Sequence, residues 1–234
     1  MGSIDRAGTR FVSRPSRWAM PTTLSTQDES FCASQHGLPA AGPVLKFAAN
    51  RTVYFEGDAA SALFMVVSGV VRSLRRISLG RRQIAAFHAP GDLFGFEFGS
   101  VHTQSAEAVS GAVLIMYRRH RIEQFAVQND TISRQLLACA LWSLTRSQDH
   151  AVLLGRRTAS ERVAAFLIDW AIDEAEPNVV TLPMPRVDIA DYLGLTVETV
   201  SRTLRTLQDR RLIELRSARC LWLKSPAGLQ ALVG

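Results

Sequence analysis

The sequence predicts an α+β protein: an antiparallel roll of short strands, then one long helix, then a small, mostly helical C-terminal unit. Three observations predict it. Between residues 44 and 117, short runs of β-branched and aromatic residues alternate with turn formers. From about residue 122 to 174 there is a single Gly, no Pro and an abundance of helix formers. After residue 186 two short helical patterns meet at one Gly, and two apolar runs then flank a polar turn. The 234 residues suit two domains, and 47% hydrophobic with 21% charged residues excludes a disordered or fibrous chain.

Residues 1–43 have little periodicity and several Pro, Gly and Arg, which predicts a loosely ordered basic arm. The first twenty residues lack the apolar core of a secretory signal. The longest stretch without charge, residues 30–45, is too short and too broken by Gly and Pro to span a bilayer. A cytoplasmic chain is expected. Cys32, Cys139 and Cys220 are odd in number and far apart, which argues for reduced thiols and against a metal or redox pair. The net charge of +6, carried almost wholly by Arg, suggests a polyanionic partner, with nucleic acid ahead of an anionic membrane surface.

The roll is expected over residues 44–128. Its strands are read at residues 53–55, 63–67, 70–74, 84–87 and 113–117, with turns at Glu56-Gly57-Asp58, Ser68-Gly69, Leu79-Gly80 and Pro90-Gly91-Asp92. Arg72, Arg75, Arg76, Arg81 and Arg82 crowd one hairpin with no acid among them. They read either as a solvated hairpin or as a surface for polymerase or a regulatory partner.

A long helix is expected within residues 129–156. Ile132, Leu136, Cys139, Ser143, Arg146 and His150 follow one line at 3-to-4 spacing, and Leu137, Leu141 and Leu144 follow another. Two lines mean two surfaces to cover. The first line is expected to meet a second copy of the chain in a homodimer; the alternative is a helix buried within one subunit.

The C-terminal unit, residues 157–234, opens on Thr158-Ala-Ser-Glu161, which has capping-box spacing ahead of Val163, Ala164, Phe166, Leu167 and Trp170. Residues 186–193 form a two-turn helix with Ile189, Ala190 and Leu193 inward. Gly194 ends it and Thr196 caps the next helix. On that helix Val197, Val200, Leu204 and Leu207 make an apolar stripe, and Glu198, Ser201, Arg202 and Arg205 the opposite one. Arg202 suits guanine O6 and N7, Glu198 suits cytosine N4 and Ser201 suits either base, so one G·C pair can be read from both sides. The simpler alternative is an exposed intrahelical ion pair between Glu198 and Arg202. Residues 212–215 and 221–223 then read as a hairpin wing whose Arg216 and Arg219 suit phosphate, and Ser225-Pro226 opens a last helix. Arg186, Thr196, Thr199 and Arg205 complete the expected phosphate contacts. Cys220, at the end of the wing, is either inert or a thiol whose oxidation would disturb DNA contacts.

The run Asp188-Ile-Ala-Asp-Tyr-Leu-Gly-Leu-Thr-Val-Glu-Thr-Val-Ser-Arg-Thr-Leu204 resembles the helix-turn-helix of the CRP/FNR superfamily of bacterial transcription regulators. Leu193-Gly-Leu-Thr-Val-Glu-Thr, with Ser201-Arg202 after it, is most similar to the FNR and FixK branches. The resemblance extends over the whole order from about residue 44: cyclic-nucleotide-binding-like β-roll, dimerisation helix, winged helix-turn-helix. It implies that Glu198, Ser201 and Arg202 contact the bases of a TTGA-type inverted repeat in double-stranded DNA. RNA polymerase is the further partner it implies. Pro185 stands where the family commonly has a Ser or Thr cap.

In this superfamily the roll can bind a cyclic nucleotide through an Arg beside a small hydroxyl residue and a nearby Gly-Glu pair. Here the corresponding residues are Gly91-Asp-Leu-Phe-Gly-Phe-Glu97 and Thr103-Gln-Ser-Ala106, with Gln104 in place of the Arg. Three Cys cannot supply the four thiolates of an FNR-type cluster. Among the five His, no pair has spacing diagnostic of haem. The 91–97 stretch is similar to the FixK branch, which implies a regulator without a cofactor that activates low-oxygen or nitrogen-fixation genes. The alternatives are a regulator gated by cAMP or haem and, more remotely, a cupin-like metalloenzyme using His88, Glu97 and His102. No metal ligand set and no nucleophile-and-base arrangement stands out, so an enzyme is not expected.

Overall fold

The computed structural model describes residues 42–78, 80–156, 158–171 and 178–234. The expected N-terminal arm, with Cys32 and His36, lies almost entirely outside the described residues. Strands β1 (Val44–Phe47), β2 (Thr52–Tyr54), β3 (Ala62–Ser68), β4 (Val71–Ser78), β5 (Arg81–His88), β6 (Leu93–Phe94), β7 (Ser105–Ala108) and β8 (Ala112–Arg118) build the roll. They pair antiparallel in two four-stranded sheets, in the orders β1-β8-β3-β6 and β2-β7-β4-β5. β1, β6 and β7 carry too few strong strand formers to be read locally; each is held by its neighbours in the sheet.

β3 explains how the roll is layered. Its side chains alternate between two faces, and both faces are buried. Phe64 and Val66 point between the sheets, with Val71, Phe94, Ala106 and Leu114. Leu63, Met65 and Val67 point outward, under the helices that follow. Gly69 makes the β3–β4 turn at φ +78°, where a Cβ would come within 2.2 Å of the Gly111 carbonyl oxygen, so a side chain is excluded there.

Helix α1 (Arg119–Gln128) and helix α2 (Asp130–Arg156) cover that outer face. The two helices are separated at Asn129, and the long helix begins where the sequence places it. The Asn129 side chain accepts from the backbone N–H of Thr131, at 3.0 Å, and of Ile132, at 3.3 Å, starting a new helix there. Helix α3 (Ala159–Trp170) begins at the capping box read from the sequence: Thr158 Oγ1 accepts from the Glu161 N–H and Glu161 accepts from the Thr158 N–H. Val163, Ala164, Phe166, Leu167 and Trp170 are all buried, each contributing about 1.5–3 kcal/mol if large.

Strand β9 (Val179–Thr181), helices α4 (Arg186–Leu193) and α5 (Val197–Asp209), strands β10 (Ile213–Leu215) and β11 (Cys220–Leu223) and helix α6 (Pro226–Val233) complete the chain. β11 lies between β10 and β9, so the wing is three-stranded where the sequence indicates two. The core of this C-terminal unit does not end at residue 157. Val70, Leu74, Ile84 and Phe87 of the roll belong to the same buried cluster as α3, α4 and α5, and Phe87 packs against Phe166, Trp170 and Tyr192. Among the described residues no helix is long and apolar enough to cross a membrane.

Candidate nucleic-acid interface

α4 and α5 meet at Gly194, whose φ of 62° places it in the left-handed region that ends a helix. Pro185 precedes α4 without a side-chain cap, and its carbonyl oxygen takes the Asp188 N–H at 3.0 Å instead. Thr196 caps α5 by accepting from the Thr199 N–H at 3.2 Å. On α5, Val200, Thr203, Leu204 and Leu207 are buried, with Val197 partly so. Glu198, Arg202 and Arg205 are exposed on the other side, and Ser201 is half-buried among them. Arg186 reaches across from α4 and donates from Nη1 to Ser201 Oγ at 3.2 Å.

Among the described residues no ion pair within 4 Å joins Glu198 to Arg202. The Glu198 carboxyl is held below the usual carboxylate range by its own backbone N–H at the helix start and by the Thr196 hydroxyl, with Arg202 contributing least. It is therefore ionised at neutral pH, the form that accepts from a base amino group.

The wing turn is organised by Ser217, whose Oγ accepts from the N–H of Arg219 at 3.2 Å and of Cys220 at 3.0 Å. Arg219 is exposed. The Arg216 guanidinium sits 4.3 Å from the Trp222 ring centroid, which narrows its directions of reach. Lys224, just after β11, pairs with Glu214 of β10 at 2.6 Å. Cys220 is a half-buried free thiol.

Two expectations need correction. The arginine-rich hairpin is neither simply solvated nor simply a partner surface. Arg75, Arg76 and Arg81 are exposed, but Arg72 is buried and paired with Glu107 and Asp188, and Arg82 is paired with Asp188 and Asp191 of α4. The helical line assigned to a second copy is turned the other way. Ile132, Leu136 and Cys139 pack under the roll. Arg146 lies 3.6 Å from Asp92, and His150 bonds the Tyr192 carbonyl at 2.7 Å. Ser143 is exposed but borders a cavity of about 250 Å³ between roll and helix. The face left open is Leu137, Leu141, Leu144 and Val152, between 52% and 59% exposed. The second line of leucines, Leu137, Leu141 and Leu144, is the sequence signal for this open face.

The roll interior bears on effector binding. Tyr54 stacks on His102 with centroids 3.6 Å apart, and Phe94 stacks on both Phe64 and His88. Glu97 accepts from the Thr103 N–H and hydroxyl, and Gln104 supplies no cation beside it. The roll's buried guanidinium, Arg72, is turned toward α4. A nucleotide's phosphate thus finds no cation among these groups, and the residues present do not fit that ligand. His88 is engaged by Ser73 at 2.8 Å, and no group of three His, Cys, Asp or Glu among the described residues is arranged to hold a metal ion.

A β-roll joined through a long helix to a winged helix-turn-helix defines a class of two-domain DNA-binding regulators, and comparison with known proteins agrees. Residues 44–129 match the cyclic nucleotide-binding domain and residues 161–232 the Crp-like helix-turn-helix domain. The chain is 42% identical over 196 residues to the nitrogen fixation regulation protein FixK of Rhizobium meliloti (strain 1021), covering 83% of this chain and 90% of that one. To FixK of Azorhizobium caulinodans it is 42% identical over 226 residues, covering 92% and 89%. The solved structure of FixK2 from Bradyrhizobium japonicum superposes with a TM-score of 0.79 at 39% identity, covering 83% of this chain and 98% of that one. The chain belongs to the CRP/FNR family of transcription regulators, in its FixK branch.

Proposed function

We propose that the protein is a cytoplasmic activator that binds a TTGA-type inverted repeat as a homodimer, without an effector cofactor, and controls nitrogen-fixation or low-oxygen genes. The observation that carries this reading is α5, which buries one stripe and leaves Glu198, Ser201 and Arg202 on the other with no ion pair between Glu198 and Arg202. The gene class is inferred from relatives named as nitrogen fixation regulators. Arg186, Thr196, Thr199, Arg205, Arg216 and Arg219 are assigned to phosphate, and RNA polymerase to the promoter-bound complex. The homodimer is supported by Leu137, Leu141 and Leu144, spaced four and three apart as in a coiled-coil seam. With two heads, the recognition helices enter successive major grooves about 34 Å apart. Independence from an effector is supported by Gln104 and by the ring stack inside the roll. The test is selection of sites from random DNA at physiological salt with no added ligand. Recovery of an inverted TTGA repeat is expected; recovery of non-palindromic or unrelated sequences would overturn the reading.

A further inference from the structure

Asp188 is fully buried on α4, yet both of its oxygens are bonded by cations of the other domain. Arg72 of β4 donates from Nη1 to Oδ2 at 2.6 Å, and Arg82 of β5 donates from Nη2 to Oδ1 at 2.5 Å. Arg82 also donates from Nε to Asp191 Oδ2 at 2.7 Å, and the Gln83 amide donates to the Asp191 carbonyl at 2.6 Å. Arg72 is also held from within its own domain. Its neighbour across the sheet on β7 is Glu107, which takes its Nε at 3.1 Å and its Nη2 at 2.7 Å and leaves Nη1 free to point at α4.

We propose that Arg72 and Arg82 are positioning residues for DNA recognition: through Asp188 and Asp191 the roll fixes the direction in which the recognition helix points. The proposal rests on the DNA-binding reading above. Asp188 and Asp191 are three residues apart, so they share one face of α4, while Ile189, Ala190 and Leu193 lie in the buried cluster with Val200, Leu204 and Leu207 of α5. An apolar contact between domains tolerates sliding, but hydrogen-bonded charges hold at one geometry. A fixed head matters when two heads must land on two half-sites at once; a single head on a single half-site tolerates a loose tether.

The test uses the full chain carrying Arg82→Ala or Asp191→Ala, whose native side chains are 26% and 23% exposed, so that the fold is kept. Affinity is measured on inverted repeats whose spacer varies in single base pairs, and on an isolated half-site, with a thermal melt alongside. Expected are a loss of about tenfold on the cognate repeat, a broadened spacer preference, and half-site affinity and base preference within about twofold of the unaltered protein. Arg82→Lys, which keeps a cation between the two carboxylates, should recover most of the loss. Unchanged repeat affinity and spacer preference would overturn the proposal, as would an equal loss on half-site and repeat, which marks general damage. If the unaltered protein selects no repeat at all, the DNA-binding reading itself fails, a result visible without any variant.

Discussion

Arg202 and Arg72 are both arginines, and their surroundings give them opposite work. Arg202 is exposed at the tip of a polar stripe, so removing it costs the fold little. Arg202→Ala should weaken the cognate site by about 1–3 kcal/mol and relax preference at one base pair; equal weakening on cognate and scrambled DNA, read by titration, would count against a base contact. The Arg72 side chain is 6% exposed and lies between two buried carboxylates. Arg72→Met leaves Glu107 with only the exposed Arg76, 3.8 Å away, and weakens the hold on Asp188, and should cost about 3–5 kcal/mol in denaturant unfolding. The same change at Arg82, 26% exposed, should cost less.

At the scale of elements, α2 carries two jobs on two faces. Ile132 is buried under the roll, whereas Leu141 is 53% exposed. Leu141→Glu should therefore yield a folded monomer by mass in solution, whereas Ile132→Glu should lower the melting temperature itself. A dimeric Leu141→Glu protein would remove this face from the proposed seam. The wing separates from the recognition helix in the same way. Arg219→Ala should reduce the salt slope of DNA binding by about one and leave base preference unchanged, because a phosphate contact carries no sequence information.

For the whole molecule, two histidines tie stability to pH. Burial lowers the pKa of His102, against the pull of Glu97 and Asp58. Burial also lowers that of His150, helped by Arg146 and opposed by the Tyr192 carbonyl. Both are thus below the ordinary histidine value of 6.5, so under pH 6.5 the unfolded chain binds more protons than the folded one. Stability should be full above pH 6.5 and decline as the pH falls below it, with the melting temperature as readout. His150→Gln, which keeps a donor toward Tyr192, should flatten part of that decline. A melting temperature that rises on acidification through this range would contradict the assignment.

Much of this molecule is decided locally. The helix-turn-helix was legible because Gly194, the Thr196 cap and the Val200, Leu204 and Leu207 stripe are set by residues within one turn of each other. The Thr158 box and the Ser225 cap were legible for the same reason. What the tertiary structure decided are the pairings between residues far apart in the chain. The short β1, β6 and β7 exist because of their neighbours, and the choice between the two faces of α2 was made by where the roll lies. Arg72 and Arg82 found the acids of α4 106 to 116 residues away and Arg72 found Glu107 35 residues away, distances that local spacing does not encode. Those charges cancel only once the fold has brought them together, because a buried carboxylate is tolerated in a dry interior only when a cation shares it.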